Sequence, residues 1–267
     1  MQKPVLLSCG QNGWLYKNKL NMNFFTKLIM GTNRPESKPR TVYLKELIAL
    51  RRIWHNKTYN DFGLERILRL TLQLLSFIMP GTLIRQLCGS RHLLYRKVVI
   101  EAYSLFKIGW YLFLFKMDLT TSTLALVISL ILTIDTVLFL FSKIFLNDIH
   151  QQPISFKRTL LMTLINIMEV MLCFAFIYSF IDDTNNVAGK IIFSTGHQLT
   201  DLQSIYFSFV TSATIGFGDI APKDPLLMKL VVLQIMLSLF FFIIVITTIT
   251  NRLHDDTFYN KRKETYR

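Results

Sequence analysis

The sequence predicts an all-α membrane protein with four transmembrane helices per subunit. Three observations carry that prediction. First, only 18% of the 267 residues are charged and 51% are hydrophobic, whereas soluble domains carry about 25% charged residues. Second, long stretches are nearly free of charge: Leu230–Thr250 has none, Thr159–Ile181 only Glu169, and Leu119–Ser142 only Asp135. A bilayer core of about 30 Å asks for roughly 20 such residues in a helix. Third, successive connections alternate between rich and poor in Lys and Arg. Together these exclude a soluble globular enzyme, and an aromatic content of 13% excludes a disordered basic tail.

Residues 1–97 read as a basic cytoplasmic region, since more than half of the 30 Lys and Arg residues precede Val98. No seven-residue apolar stretch follows a basic start, so no cleavable signal peptide is expected. Val42–His55 reads as a helix with apolar Leu44, Leu47, Ile48 and Ile53. Its Lys45, Arg51 and Arg52 suit contact with anionic lipid, and a solvated cytoplasmic domain explains them equally well. The apolar stretch Leu70–Ile84 contains Pro80-Gly81 and would reach only about 22 Å as a helix. That is too short to cross upright, which predicts an interfacial or re-entrant hairpin near 64–86.

The spans follow in order: Val98–Phe115 outward, Leu119–Leu146 back, Thr159–Ile181 outward and Leu227–Thr250 back. The first two form a peripheral pair over 98–147, and the last two belong to a unit over 158–250. Lys157, Arg158, Arg252, Lys261, Arg262, Lys263 and Arg267 lie on the same side as the basic start. The positive-inside rule therefore places both termini, including a short tail over 251–267, in the cytoplasm of a multi-pass cell-membrane protein. The net charge of +13 does not point to nucleic acid, because no basic motif is interleaved with aromatics. Cys9, Cys88 and Cys173 stand far apart with no CxxC, which argues against a disulfide scaffold or a zinc module. No catalytic constellation is visible, so an enzyme is not expected.

Between the last two spans lies Asp182–Leu226. Asp182–Leu199 is polar and loop-like. Thr200-x-x-Gln203 then reads as a capping box, which satisfies the free amides of a helix start. Leu202–Ala213 follows as a short helix carrying Ile205, Tyr206, Phe207, Phe209 and Val210. At about 18 Å it can dip into a bilayer without crossing. Directly after it comes Thr211-Ser-Ala-Thr214-Ile-Gly-Phe-Gly-Asp219.

These residues closely resemble the selectivity-filter signature of potassium channels, T-x-x-T-[VI]-G-[YF]-G-D, and the resemblance extends from the third span through the fourth. It implies a pore domain with an outer helix (159–181), a pore helix (202–213), a filter (214–219) and an inner helix (227–250). It also implies a homotetramer, since one strand cannot surround an ion and the chain has a single filter sequence. The permeant ion would be potassium, held by backbone oxygens of Thr214, Ile215, Gly216 and Phe217, with Asp219 at the outer mouth and no cofactor. A potassium ion must exchange its hydration shell for carbonyl oxygens aimed at one axis. An ordinary strand points alternate carbonyls in opposite directions, so left-handed residues are needed, and Gly216 and Gly218 supply them without steric cost. Ile215 and Phe217 are expected to face away from the axis and pack behind the filter.

Tyr206, Phe207, Val210 and Thr211 are the expected pore-helix supports. Several positions depart from the commoner pattern. Phe217 lacks the hydroxyl of Tyr, Tyr206 and Phe207 stand where many relatives carry Trp, Val210 where some carry Glu, and Ala213 where a second Thr is common. The fourth span has no glycine hinge, with Ser238 its smallest central residue, and Phe240-Phe-Phe242 reads as packing. Arg66 and Arg69 are spaced as in a voltage sensor, but the series stops there. Lys107, Asp135 and Glu169 fall near the middle of three spans, so Lys107 is expected to pair with Asp135 or Glu169, either holding the peripheral pair to the pore or serving as a proton-sensitive gate. The expected function is passive potassium conduction; a weakly selective monovalent cation channel and a non-conducting regulatory or scaffold subunit remain the alternatives.

Overall fold

The computed structural model describes residues 42–55, 63–88, 93–146 and 156–265. The basic segment 1–41, Cys9 and most of the predicted cytoplasmic loop around 147–155 lie outside the described residues. Among the described residues eight α-helices follow one another: α1 (Val42–His55), α2 (Gly63–Leu75), α3 (Pro80–Cys88), α4 (Leu93–Lys116), α5 (Thr123–Phe145), α6 (Phe156–Val187), α7 (Asp201–Ser212) and α8 (Pro225–Thr265). A 3-10 turn, Leu119–Thr121, joins α4 to α5. The described residues contain no strand, only an isolated bridge between Phe193 and Pro222. Among the described residues four helices are long and apolar enough to cross a membrane: Val98–Lys116, Thr123–Phe145, Lys157–Val187 and Pro225–Thr247.

Several helix ends differ from those read in the sequence. The second span starts at Thr123 rather than Leu119, because Asp118 takes a left-handed turn (φ 50°) and Ser122 caps α5 through the Ala125 amide. The third continues to Val187, so the start of the expected polar loop is helical. There the polar side chains serve the helix: Thr184 Oγ1 donates to the Phe180 carbonyl at 2.7 Å, and Asn185 Nδ2 to the Ile181 carbonyl at 2.7 Å. The fourth begins at Pro225, a residue preorganised for a first helical turn. Asp224 caps it by accepting the Leu226 amide at 3.0 Å, and the helix runs on to Thr265.

Helix α6 lies at the centre, packed against α4, α5, α7 and α8. Its segment Leu172–Phe176 is buried at every position, as expected of a helix surrounded on all sides. One core lies where α6, α7 and α8 meet, built on Phe174, Tyr178, Phe207, Leu227 and Phe241. A second joins α4, α5 and α6 through Tyr111, Leu114, Phe115 and Phe176. Phe141 of α5 stacks on Phe240 of α8 with centroids 4.0 Å apart, so the peripheral pair also touches the last helix.

The apolar stretch Leu70–Ile84 folds as the α2–α3 hairpin. Leu72 packs with Ile53 and Leu146, at one end of α5. The hairpin then climbs along α5 until the Gly81 amide meets Asp135 Oδ1 at 3.3 Å. Asp135 sits midway along α5, so the tip reaches the middle of that helix. The absence of a side chain lets them meet: a Cβ on residue 81 would lie 2.8 Å from Asp135 Oδ2, and the carboxylate would have to shift. Helix α1 is tied to α2 by Gln73 Nε2, which donates to Glu46 Oε2 at 2.6 Å.

Candidate functional site

The site is the connection between α6 and α8. It begins with the capping box at α7: the Thr200 hydroxyl accepts the Gln203 amide at 3.3 Å, and the Gln203 side chain accepts the Thr200 amide at 2.9 Å. Helix α7 buries one stripe, Ser204, Phe207, Ser208, Thr211 and Ser212, at the i, i+3, i+4, i+7 spacing of one helix face. Phe207 makes edge contacts with Tyr178 (5.0 Å) and Phe193 (5.5 Å). Val210 is half-buried and Tyr206 is at the edge of exposure.

The segment after α7 hangs from the helix's last carbonyls. The amides of Ala213, Thr214 and Ile215 donate to the carbonyls of Phe209 (2.9 Å), Thr211 (3.0 Å) and Val210 (3.1 Å). Three residues that follow have positive φ: Thr214 at 56°, Gly216 at 59° and Gly218 at 83°. Ile215 and Phe217, between them, do not. The chain therefore alternates in hand at every second residue, the pattern that turns successive carbonyls to one side. The two glycines take left-handed angles without strain, whereas Thr214 does so at a cost and donates its hydroxyl to the Ala213 carbonyl at 2.7 Å.

Ile215 and Phe217 lie between the left-handed residues. They are 56% and 67% exposed and do not pack behind the segment within one chain. The reason is geometric: their own α7 leads into the segment from one end and presents its buried stripe to α6 and α8, leaving these two side chains largely uncovered by the same chain.

A clasp fixes the far end. The Ser194 amide donates to the Ala221 carbonyl at 2.9 Å, the Lys223 amide to the Ile192 carbonyl at 2.8 Å, and the Ala221 amide to Ser194 Oγ at 2.8 Å. Lys190 Nζ and Asp224 Oδ1 are 2.5 Å apart, and that hydrogen bond holds the Asp224 carboxyl below its ordinary pKa. Asp219 is exposed at this end. It faces the Tyr206 hydroxyl, whose pKa it raises through a hydrogen bond.

Sequence reasoning missed Gln234. This residue of α8 is 1% exposed. Its Oε1 accepts the Tyr178 hydroxyl of α6 at 2.6 Å. Its Nε2 donates to the Ser208 carbonyl (2.8 Å), Ser208 Oγ (2.9 Å) and Ser212 Oγ (2.6 Å) of α7. Ser208 Oγ in turn donates to the Met171 carbonyl of α6 at 2.7 Å. The signal was available: a glutamine inside an uncharged apolar run must find partners when buried.

The three mid-span charges separate. Lys107 Nζ lies 3.0 Å from Glu169 Oε2, with the two side chains 3% and 0% exposed. Thr136 joins them, donating to Glu169 Oε2 at 2.7 Å and lying against Lys107 Nζ. Asp135 does not pair with Lys107; it accepts the Tyr103 hydroxyl at 3.1 Å and the Gly81 amide. Adjacent on α5 and so about 100° apart around the helix, Asp135 faces the α3 tip while Thr136 faces α6. In the triplet Phe240–Phe242, Phe241 is buried and Phe240 stacks on α5, but Phe242 is 47% exposed, so packing accounts for two of the three. Among the described residues, no group of three or more His, Cys, Asp and Glu side chains is placed to hold a metal ion.

Residues 167–255 match the family model described as ion channel. The match begins within α6, takes in α7, the alternating segment and the clasp, and ends within α8, so this stretch is similar to an ion-channel domain, in keeping with the four long apolar helices among the described residues. Neither the curated proteins nor the solved structures yield a match to the chain.

Proposed function

We propose that this ion-channel domain conducts potassium passively, and that residues 214–218 are one quarter of a tetrameric selectivity filter. The observation that carries the reading is the alternating backbone hand, positive at Thr214, Gly216 and Gly218. Carbonyls turned to one side can replace the hydration shell of a monovalent cation if four strands surround an axis. A homotetramer is supported by how little of this segment its own chain covers, with Ile215 and Phe217 56% and 67% exposed, because irregular backbone at membrane depth must be buried in protein or line water. The fourfold axis supplies that surface from neighbouring copies.

The parts around the strand assist. The C-terminal end of α7 carries partial negative charge and aims at the inner end of the strand, favouring a cation there. Four copies of Asp219 at the outer mouth would concentrate cations. Both termini face the cytoplasm on this reading, which the charge of the connections supports. Exposed Leu44, Leu47 and Trp54 beside Arg51 and Arg52 on α1 suit the anionic surface of the inner leaflet.

The test is ion flux into liposomes holding the full-length protein, with reversal potentials measured in mixed sodium and potassium. Wild type should pass potassium in preference to sodium. Gly216→Ala should assemble and lose flux: alanine at φ 59° costs roughly 1 kcal/mol or more in each subunit, and four strained strands share one conduction path. Equal potassium and sodium permeability would leave a weakly selective cation channel, to which the missing hydroxyl at Phe217 already points. Tetramers silent at every voltage and pH would leave a scaffold subunit.

A further inference from the structure

We propose that Gln234 is a positioning residue that sets the filter's geometry by locking α7 to both neighbouring helices. The proposal rests on the potassium-filter reading and extends it to a residue outside the filter.

The geometry is specific. Gln234 reaches two turns of α7 at once, through the Ser208 carbonyl and hydroxyl and the Ser212 hydroxyl, while Tyr178 holds its carbonyl oxygen from α6. Ser208 closes the circuit by donating to the Met171 carbonyl of α6. Tyr178, Ser208, Ser212 and Gln234 are all almost fully buried. One side chain therefore ties three helices, and its amide group is used on both sides.

Its position along α7 gives this circuit its consequence. The carbonyls of residues 209–211 carry the amides of 213–215, and Ser208 and Ser212 bracket those three residues. A rotation or slide of this turn would move every hydrogen bond from which the filter's inner end hangs. Apolar contacts alone, such as those of Phe207 with Tyr178 and Phe193, tolerate small slides between helices; directional hydrogen bonds do not. Helix α7 is short and meets its own filter only at its last turn, so its register relative to α6 and α8 must come from side chains. Gln234 supplies it.

The experiment compares wild type, Gln234→Leu, Tyr178→Phe and Ser212→Ala as full-length protein in liposomes, with two readouts. Hydrogen exchange of the amides of residues 213–215 should speed up about three- to tenfold in Gln234→Leu, the loss expected when one net hydrogen bond is removed, with exchange in α5 unchanged. The potassium-to-sodium permeability ratio should fall several-fold in the same protein, and by less in Tyr178→Phe and Ser212→Ala. Unchanged exchange and an unchanged ratio in an assembled Gln234→Leu overturn the proposal. Should that variant fail to assemble, the two milder variants decide, and wild-type values in both overturn it. If wild type itself does not discriminate the two ions, the potassium reading fails, while faster exchange at 213–215 still supports the positioning role.

Discussion

Replacing Lys107 by Met should unbalance the middle of the bundle. Glu169 is fully buried and Lys107 nearly so, 3.0 Å apart, and Thr136 also donates to the shared Oε2. Among the described residues, Glu169 Oε1 has no hydrogen-bond partner, so the carboxylate leans on one oxygen's contacts and on the ammonium charge. With Lys107 gone, Thr136 remains but the charge is unpaired. Removing one member of a buried pair costs about 3–5 kcal/mol, and an unpaired charge at mid-membrane costs about 2.5–3.5 kcal/mol on insertion scales; the two routes agree near 3 kcal/mol. At about 2–4 °C per kcal/mol for a chain of this size, the melting temperature should drop by roughly 6–12 °C. Thermal melts of the detergent-solubilised protein, followed by size-exclusion chromatography, read this directly. Adding Glu169→Gln to Lys107→Met should restore most of the loss, because a neutral amide needs no counter-charge. A Lys107→Met protein melting within about 2 °C of wild type, or two substitutions whose effects simply add, would refute the reasoning. The pair joins α4 to α6 deep inside the bundle, while Glu101 and Arg158, 2.5 Å apart, join the same two helices nearer their beginnings, the arrangement a holding role calls for. Accordingly Glu169→Gln alone should leave the pH dependence of flux unchanged.

Gly81→Val should lift the α2–α3 hairpin from α5, since even a Cβ would meet Asp135 Oδ2 at 2.8 Å. A cysteine placed at Thr82, which is 1% exposed, should then pass from protected to reactive toward a water-soluble thiol reagent, and protection equal to that in the wild-type background would count against the mid-helix contact. At the outer clasp, the hydrogen bond from Lys190 holds the Asp224 carboxyl below its ordinary pKa. A carboxylate with a lowered folded-state pKa contributes above the unfolded value and loses that contribution as pH falls through the lowered one. Flux should therefore not change on account of this pair between about pH 5 and 8, and Asp224→Asn should give the same profile over that range; a difference there would show that the clasp titrates higher.

Much of the fold was legible because the bilayer imposes a length and an apolar composition on each span, and both are local properties of sequence. The helix ends were less so. Asp182–Val187 looks like a loop by composition, yet outside the apolar slab a polar helical extension needs no buried face, only side chains such as Thr184 and Asn185 to serve its last carbonyls. The need for left-handed glycines at 216 and 218 was legible because it follows from carbonyl direction alone. That Thr214 shares the same hand was not, since a β-branched residue is a poor candidate for it.

The polar contacts that hold the site in place depend on which helix face meets which, and that depends on tertiary packing. From spacing alone, Lys107 could have chosen Asp135 or Glu169. The choice turns on α5 presenting adjacent residues to different neighbours, Thr136 to the Lys107–Glu169 pair and Asp135 to Gly81 and Tyr103. Gln234 shows the same principle in a more tractable form. Ser208 and Ser212 lie one turn apart on α7, and Gln234 is the lone amide in the apolar run of α8. Each is unremarkable by itself, but a short helix that must be oriented between two long ones will draw buried polar groups on facing sides into one circuit, because any left unpaired would cost more than the circuit itself. In a chain with so few buried amides, pairing them by elimination is a physical route from sequence to the contacts that position a filter.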